Sequence, residues 1–166
     1  VVHPIEQVLA KLNAHQVRYL VVGGVAVVLH GHLRTTADLD LVVELAPENA
    51  ARAIVALREL GFRPHAPVSA EGFADPEVRA SWIEDKGLTV FSLWSDQTRG
   101  VEVDLFVKEP FDFAQAYSRA IRVSLDSTNT TVVSLEDLVA LKLASGRPLD
   151  LADVDALRAL TATKEA

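Results

Sequence analysis

The chain contains no cysteine. Disulfides, thiolate nucleophiles and cysteine-ligated zinc are therefore excluded, although the count alone identifies no compartment. Long hydrophobic runs are missing too. The longest lies between Arg18 and His30, is broken by Gly23-Gly24, and is too short to span a bilayer. No basic, apolar leader is seen, so a cytoplasmic location with no membrane is the expectation. Positive charge is scarce: 16 Lys and Arg against 23 Asp and Glu give a formal net charge of −7. Nucleic-acid binders usually carry a basic face, so this balance argues mildly against an extended nucleic-acid track and suits a cationic partner or bound divalent metal. Repeats and low-complexity tracts are absent. Neither G-x-G-x-x-G nor G-x-x-x-x-G-K-[ST] occurs, which removes the dinucleotide fingerprint and the P-loop.

What is present is an alternation of helical and strand patterns. Hydrophobic residues make up 49% of 166 positions, which suits one domain with a real core over residues 1–166. The alternation predicts an α/β or α+β fold. Pro4 to His15 spaces Ile5, Val8, Leu9 and Leu12 as a helix. Val17 to Val22 reads as a buried strand, Gly23-Gly24 as a sharp turn, and Val25 to Leu29 as a short helix ended by Gly31. In the next strand Leu39, Leu41 and Val43 face the core, leaving Asp38, Asp40, Val42 and Glu44 on the other side. Pro47 and Gly61 bracket a helix. Arg63 to Asp75 reads as a long loop, and Asp75-Pro76 starts a helix that Gly87 closes. Leu88 to Trp94 and Val101 to Val107 form an antiparallel hairpin. A helix over Asp112 to Ala120 and weak strands near 121–125 and 130–133 follow. Ser134-Leu135-Glu136-Asp137 caps a helix to Ser145, and Asp150 to Leu160 is the next, with Leu151, Val154 and Leu157 inward. Residues 134–160 thus make a C-terminal helical pair.

Asp38 and Asp40 are one strand residue apart, so their carboxylates share a face. Such a pair can bind divalent cations that bridge a triphosphate, because hard cations such as Mg²⁺ take oxygen ligands. Asp104, between Val103 and Leu105, is the natural third carboxylate, with Glu102 on the same face as its alternative. An isolated Asp-x-Asp most often marks only the solvent face of an edge strand. Gly23-Gly24 shifts that balance, since a Gly-Gly step between strand and helix lets backbone amides approach a phosphate.

In order, Gly23-Gly24, a short helix, Arg34-Thr35-Thr36, Asp38-x-Asp40 and the strand around Asp104 resemble the polymerase-beta-like nucleotidyltransferase superfamily. The match covers positions 19 to 45 and 101 to 107, and the ordered combination is far more specific than any part. The stretch from Ser134 to Asp153, with Lys142, Arg147 and Asp150, is similar to a small bacterial branch. That branch includes abortive-infection-type (type IV toxin–antitoxin) toxins and some aminoglycoside nucleotidyltransferases. Leu149 stands where the branch has a lysine, and Gly24 where many members have serine.

The resemblance implies a mixed sheet with packed helices. It implies transfer of a nucleoside monophosphate from a nucleoside triphosphate such as ATP to an acceptor hydroxyl, with release of pyrophosphate. Asp38, Asp40 and Asp104 would hold Mg²⁺ or Mn²⁺, with Asp104 also helping to deprotonate the acceptor. Gly23 and Gly24 would cradle phosphates beside Thr35, and Arg34 and Lys142 would counter their charge. The implied acceptor is either tRNA, with an antitoxin protein as partner, or a small molecule such as an aminoglycoside, with antibiotic resistance as the outcome.

Each residue also has a plainer reading. Lys142 is as readily a solvent-facing lysine on an amphipathic helix. Arg147 suits a helix C-terminus, and Asp150 and Asp153 suit a helix N-terminus, which is the preferred reading for Asp153. Thr35 and Thr36 most simply set the turn into the strand. His30-x-His32 reads as polar loop, since structural zinc wants four ligands. Trp94 is expected in the core, while Trp82 suits either the core or an acceptor-stacking surface. The rival functions are a non-catalytic nucleotide- or partner-binding protein of the same fold and a metal-assisted phosphohydrolase. Three filled acidic positions speak against the first.

Overall fold

The computed structural model describes residues 2–166. Helix α1 (Pro4–Ala14) leads into β1 (Tyr19–Val22), whose four residues are all buried. Helix α2 (Gly23–Leu29) starts directly from β1, so the glycine pair forms its opening turn instead of a separate loop. Gly23 has φ +65, a conformation that only glycine adopts without strain. Strand β2 (Asp38–Val43) returns antiparallel to β1, and α3 (Pro47–Glu59) follows it with Pro47 in its first turn.

The segment expected as an irregular loop is partly ordered. It holds a short strand, β3 (Arg63–Pro64), and a 3-10 turn over Ala70–Ala74. Apolar burial fixes it: Phe73 stacks on Phe91 with ring centroids 5.7 Å apart, a pairing between distant positions that local periodicity does not show. Helix α4 (Pro76–Lys86) is capped by the Asp75 side chain and ended by Gly87. Strands β4 (Val90–Trp94) and β5 (Glu102–Phe106) form the expected antiparallel hairpin. Helix α5 (Phe113–Ser118) and the antiparallel pair β6 (Ile121–Ser124) and β7 (Asn129–Val132) lead to α6 (Leu135–Ser145) and α7 (Pro148–Glu165).

The strands make one mixed seven-stranded sheet in the order β3-β4-β5-β2-β1-β7-β6, with helices packed on it. Two pairings are parallel, β2 with β5 and β1 with β7. Central strands carry fully buried Leu20, Leu39, Leu41 and Leu105, each contributing about 1.5–3 kcal/mol by leaving water. Helices α1 and α3 pack on one another, α2 lies on β1 and β2, and α6 touches both α2 and α7. The chain is α/β, as the alternating pattern predicts. No helix among the described residues is long and apolar enough to cross a membrane.

Two packing expectations change, for Leu151 and Trp94, and the open one for Trp82 falls to the core. Leu151 is exposed, not inward, because the buried face of α7 carries Asp150, Asp153, Val154 and Leu157 at spacings of three and four. Trp94 is half-buried, with the Arg63 guanidinium 4.0 Å above its ring, so it sits at the sheet's rim instead of in the core. Trp82 takes the core place, stacked on Phe91 at 4.8 Å.

Candidate active site

The parallel register of β2 and β5 sets Asp40 directly beside Asp104 and Asp38 beside Glu102. On the flanking strands Val22 pairs with Asp40 and Ser92 with Asp104. Paired strand residues share a face, so all four carboxylates stand on one side of the sheet. Asp104 adjoins Asp40, whereas Glu102 lies one pair further out, 3.2 Å from His65. Ser92 Oγ donates to Asp104 Oδ1 at 2.5 Å. Ser92 was not among the sequence candidates; its one signal is a hydroxyl at alternate spacing within the apolar run Val90–Trp94.

Gly23, Asp40 and Asp104 line one wall of a cleft of about 500 Å³, and Phe106, Leu138 and Leu141 supply apolar surface. Asp40 rests against Gly23: a Cβ there would lie 2.0 Å from Oδ2. The glycine therefore makes room for the Asp40 carboxylate. Burial, then the charges of Asp104 and Asp38, push the Asp40 carboxyl up to about 6, while Lys142 and Arg147 pull the other way. Asp104 is raised by burial too, against the Ser92 hydrogen bond. Gly24 is buried under Thr36 and Arg34, and a Cβ on it would meet Thr36 Oγ1 at 2.7 Å and Arg34 Nη2 at 2.8 Å. Of the glycine pair, Gly23 lines the cleft and Gly24 lies beneath its shoulder.

Lys142 and Arg147 form the facing wall. Lys142 is only 5% exposed, so it is not the solvent-facing lysine of the plainer reading. Its Nζ lies 2.8 Å from Asp150 Oδ1 and 2.8 Å from Asp153 Oδ2. Arg147 Nε and Ser145 Oγ each donate to Asp150 Oδ2 at 2.7 Å. Burial opposes ionisation of Asp150, but hydrogen bonds from Arg147, Lys142 and Ser145 hold its carboxyl far below the usual range. Arg147 caps the start of α7 instead of closing the end of α6. Asp153 is 1% exposed and accepts from Arg34 Nη2 at 3.1 Å. This corrects its reading as a simple helix N-terminal charge. Arg34 Nε lies 3.0 Å from Asp153 Oδ1, off the line of a hydrogen bond.

The remaining candidates stand at the margin. Asp38 is exposed and lines a neighbouring hollow of about 520 Å³ with Trp94, Asp96, Arg99 and Glu102. Thr35 is exposed, and its carbonyl accepts from Arg34 Nη1 at 3.0 Å. His30 Nε2 is 2.8 Å from the Val133 carbonyl.

The donor chemistry fits a hard divalent cation. Asp38, Asp40 and Asp104 share a sheet face, and Asp40, raised first by burial and then by the charges of Asp104 and Asp38, stands where a cation would offset both. As placed, no three His, Asp or Glu side chains among the described residues converge on one metal position. Asp38, exposed at the rim, is the side chain free to turn inward.

A comparison with curated protein sequences finds no match. Solved structures share the fold. The lincomycin-bound lincosamide antibiotic adenylyltransferase LnuA is 15% identical with a TM-score of 0.61, covering 93% of this chain and 94% of its own. An antigenic nucleotidyltransferase-like protein from Paracoccidioides brasiliensis is 17% identical with a TM-score of 0.59, covering 95% of this chain and 73% of its own. ANT(2'')-Ia in complex with adenylyl-2''-tobramycin is 16% identical with a TM-score of 0.54, covering 98% and 97%. A family model described as nucleotidyltransferase of unknown function (DUF6036) matches residues 2–162. With paired strand carboxylates facing a basic wall, the chain belongs to that nucleotidyltransferase family.

Proposed function

We propose that this protein transfers a nucleoside monophosphate from a nucleoside triphosphate to a hydroxyl of a small-molecule acceptor. The observation that carries the reading is the Asp40–Asp104 pair in register across β2 and β5, facing Lys142 and Arg147 over one cleft. Asp38, Asp40 and Asp104 would hold Mg²⁺ or Mn²⁺, which supplies charge neutralisation and polarisation of the α-phosphate. Lys142 and Arg147 face the phosphates, and the apolar side chains of Phe106 and Leu141 receive the base or ribose. Ser92 occupies one oxygen of Asp104, which leaves the other to accept the proton of the attacking hydroxyl.

The acceptor would enter over Asp38 from the neighbouring hollow. Its carboxylates Asp38, Asp96 and Glu102 outnumber the single Arg99 guanidinium lining it, which favours a polyhydroxylated, cationic small molecule over an anionic polymer. Two proteins of the same fold carry lincomycin and adenylyl-2''-tobramycin in their structures, which supports that class. The test incubates the protein and Mg²⁺ or Mn²⁺ with each α-labelled triphosphate and either an aminoglycoside and lincosamide panel or tRNA. The expected result is a labelled small-molecule adduct with equimolar pyrophosphate, absent in Asp104→Asn. Labelled tRNA would point to the toxin-like branch and an antitoxin partner. Nucleotide binding without turnover would make the protein a binding module, and phosphate release without an acceptor a phosphohydrolase.

A further inference from the structure

We propose that Asp153 is a positioning residue for nucleotide binding, acting from outside the cleft through Arg34 and Lys142. The proposal rests on the nucleotidyl-transfer reading. A carboxylate 1% exposed is costly unless cations and hydrogen bonds compensate it. Asp153 finds two cations on separate segments: Arg34 before β2, and Lys142 on α6. It does not line the cleft itself.

The contacts form a chain of alternating charge, Arg34–Asp153–Lys142–Asp150–Arg147. Three cations and two carboxylates leave one net positive charge along this chain of contacts. Without Asp153, Arg34 and Lys142 would lose the one counter-ion they share. With it, both oxygens of one carboxylate fix two cations at once. Arg34 is thereby held over Gly24, next to the glycine that lines the cleft, while Lys142 stays on the facing wall. Cations fixed before a polyanion arrives need no reorganisation when it binds.

An asparagine at 153 keeps the volume, but it loses the charge and turns an NH₂ group towards a cation. The test titrates Mg²⁺–ATP into the full chain and into Arg34→Ala, Asp153→Asn, Asp153→Ala and the Arg34→Ala/Asp153→Ala double variant, with circular dichroism to confirm the fold. Asp153→Asn is expected to weaken ATP binding by about tenfold or more, as for loss of a charge-assisted hydrogen bond. The double variant is expected to bind no more weakly than Asp153→Ala, because losing Asp153 already releases both Arg34 and Lys142. A second pair, Arg34→Met/Asp153→Leu, replaces the ion pair by apolar bulk and guards against simple misfolding. It should fold yet bind ATP as weakly as Asp153→Ala, since Lys142 loses the same partner in both. Native ATP affinity in folded Asp153→Asn, native affinity in the apolar pair, or multiplying effects in the double variant would overturn the proposal. Failure of the unaltered protein to bind any nucleoside triphosphate would instead remove the functional reading beneath it.

Discussion

Asp40 carries a strain that shows in its ionisation. Its carboxyl is raised to about 6 by burial and by two neighbouring carboxylates. Between about pH 4 and 6 the folded protein keeps a proton there that the unfolded chain has released, so stability falls as pH rises through that window. The loss is about 3 kcal/mol once both states are ionised. Asp40→Asn is therefore expected to raise the melting temperature at pH 7.5 and to leave it unchanged near pH 4, as read by thermal denaturation. Mg²⁺ should raise the melting temperature of the native protein at pH 7.5 and do little for Asp40→Asn. Asp38 and Asp40 were legible as candidates because strand alternation is local. The charge network was not: Arg34 meets Asp153 across 119 positions, and helical periodicity ranks Asp153 only as a polar first-turn residue. Its burial follows from where α7 docks, which no local pattern encodes.

At the scale of elements, the alternating strands, the β4–β5 hairpin and most glycine and proline helix boundaries were readable, since turn chemistry and periodicity act over a few residues; Pro148 was the exception, as α7, expected over Asp150 to Leu160, runs from Pro148 to Glu165. The register between β2 and β5 was not, yet it alone decides that Asp104 adjoins Asp40 while Glu102 falls beside Asp38. A slip of one residue would turn the carboxylates onto the core face. The contact between α2 and the loop before β2 is equally tight. Serine at position 24, common among relatives of the superfamily, has no room here because Thr36 and Arg34 occupy the space. Gly24→Ser is expected to cost about 1–3 kcal/mol by overpacking and to displace Arg34, weakening ATP binding. Adding Thr36→Gly should recover much of the stability, which paired denaturation curves would measure.

Across the whole molecule the formal charge is −7, so the basic wall of the cleft is a local exception in an acidic surface. Long-range attraction then favours a cationic acceptor and opposes a polyanionic one. For a cationic acceptor kcat/KM should fall as salt rises, and for tRNA low salt should bring no gain; steady-state rates over a salt series separate the two.

The two walls of the cleft belong to unlike parts of the fold. One is built on β2 and β5, deep within the sheet; the other rests on the pair α6 and α7, whose final residues are exposed. Regions of this kind open with different free energies, the central strands only with global unfolding and a peripheral helix pair more readily. A nucleotide lying between them acts as a removable crosslink. Amide hydrogen exchange should therefore slow in α6 and α7 when ATP is added and stay unchanged in β2 and β5.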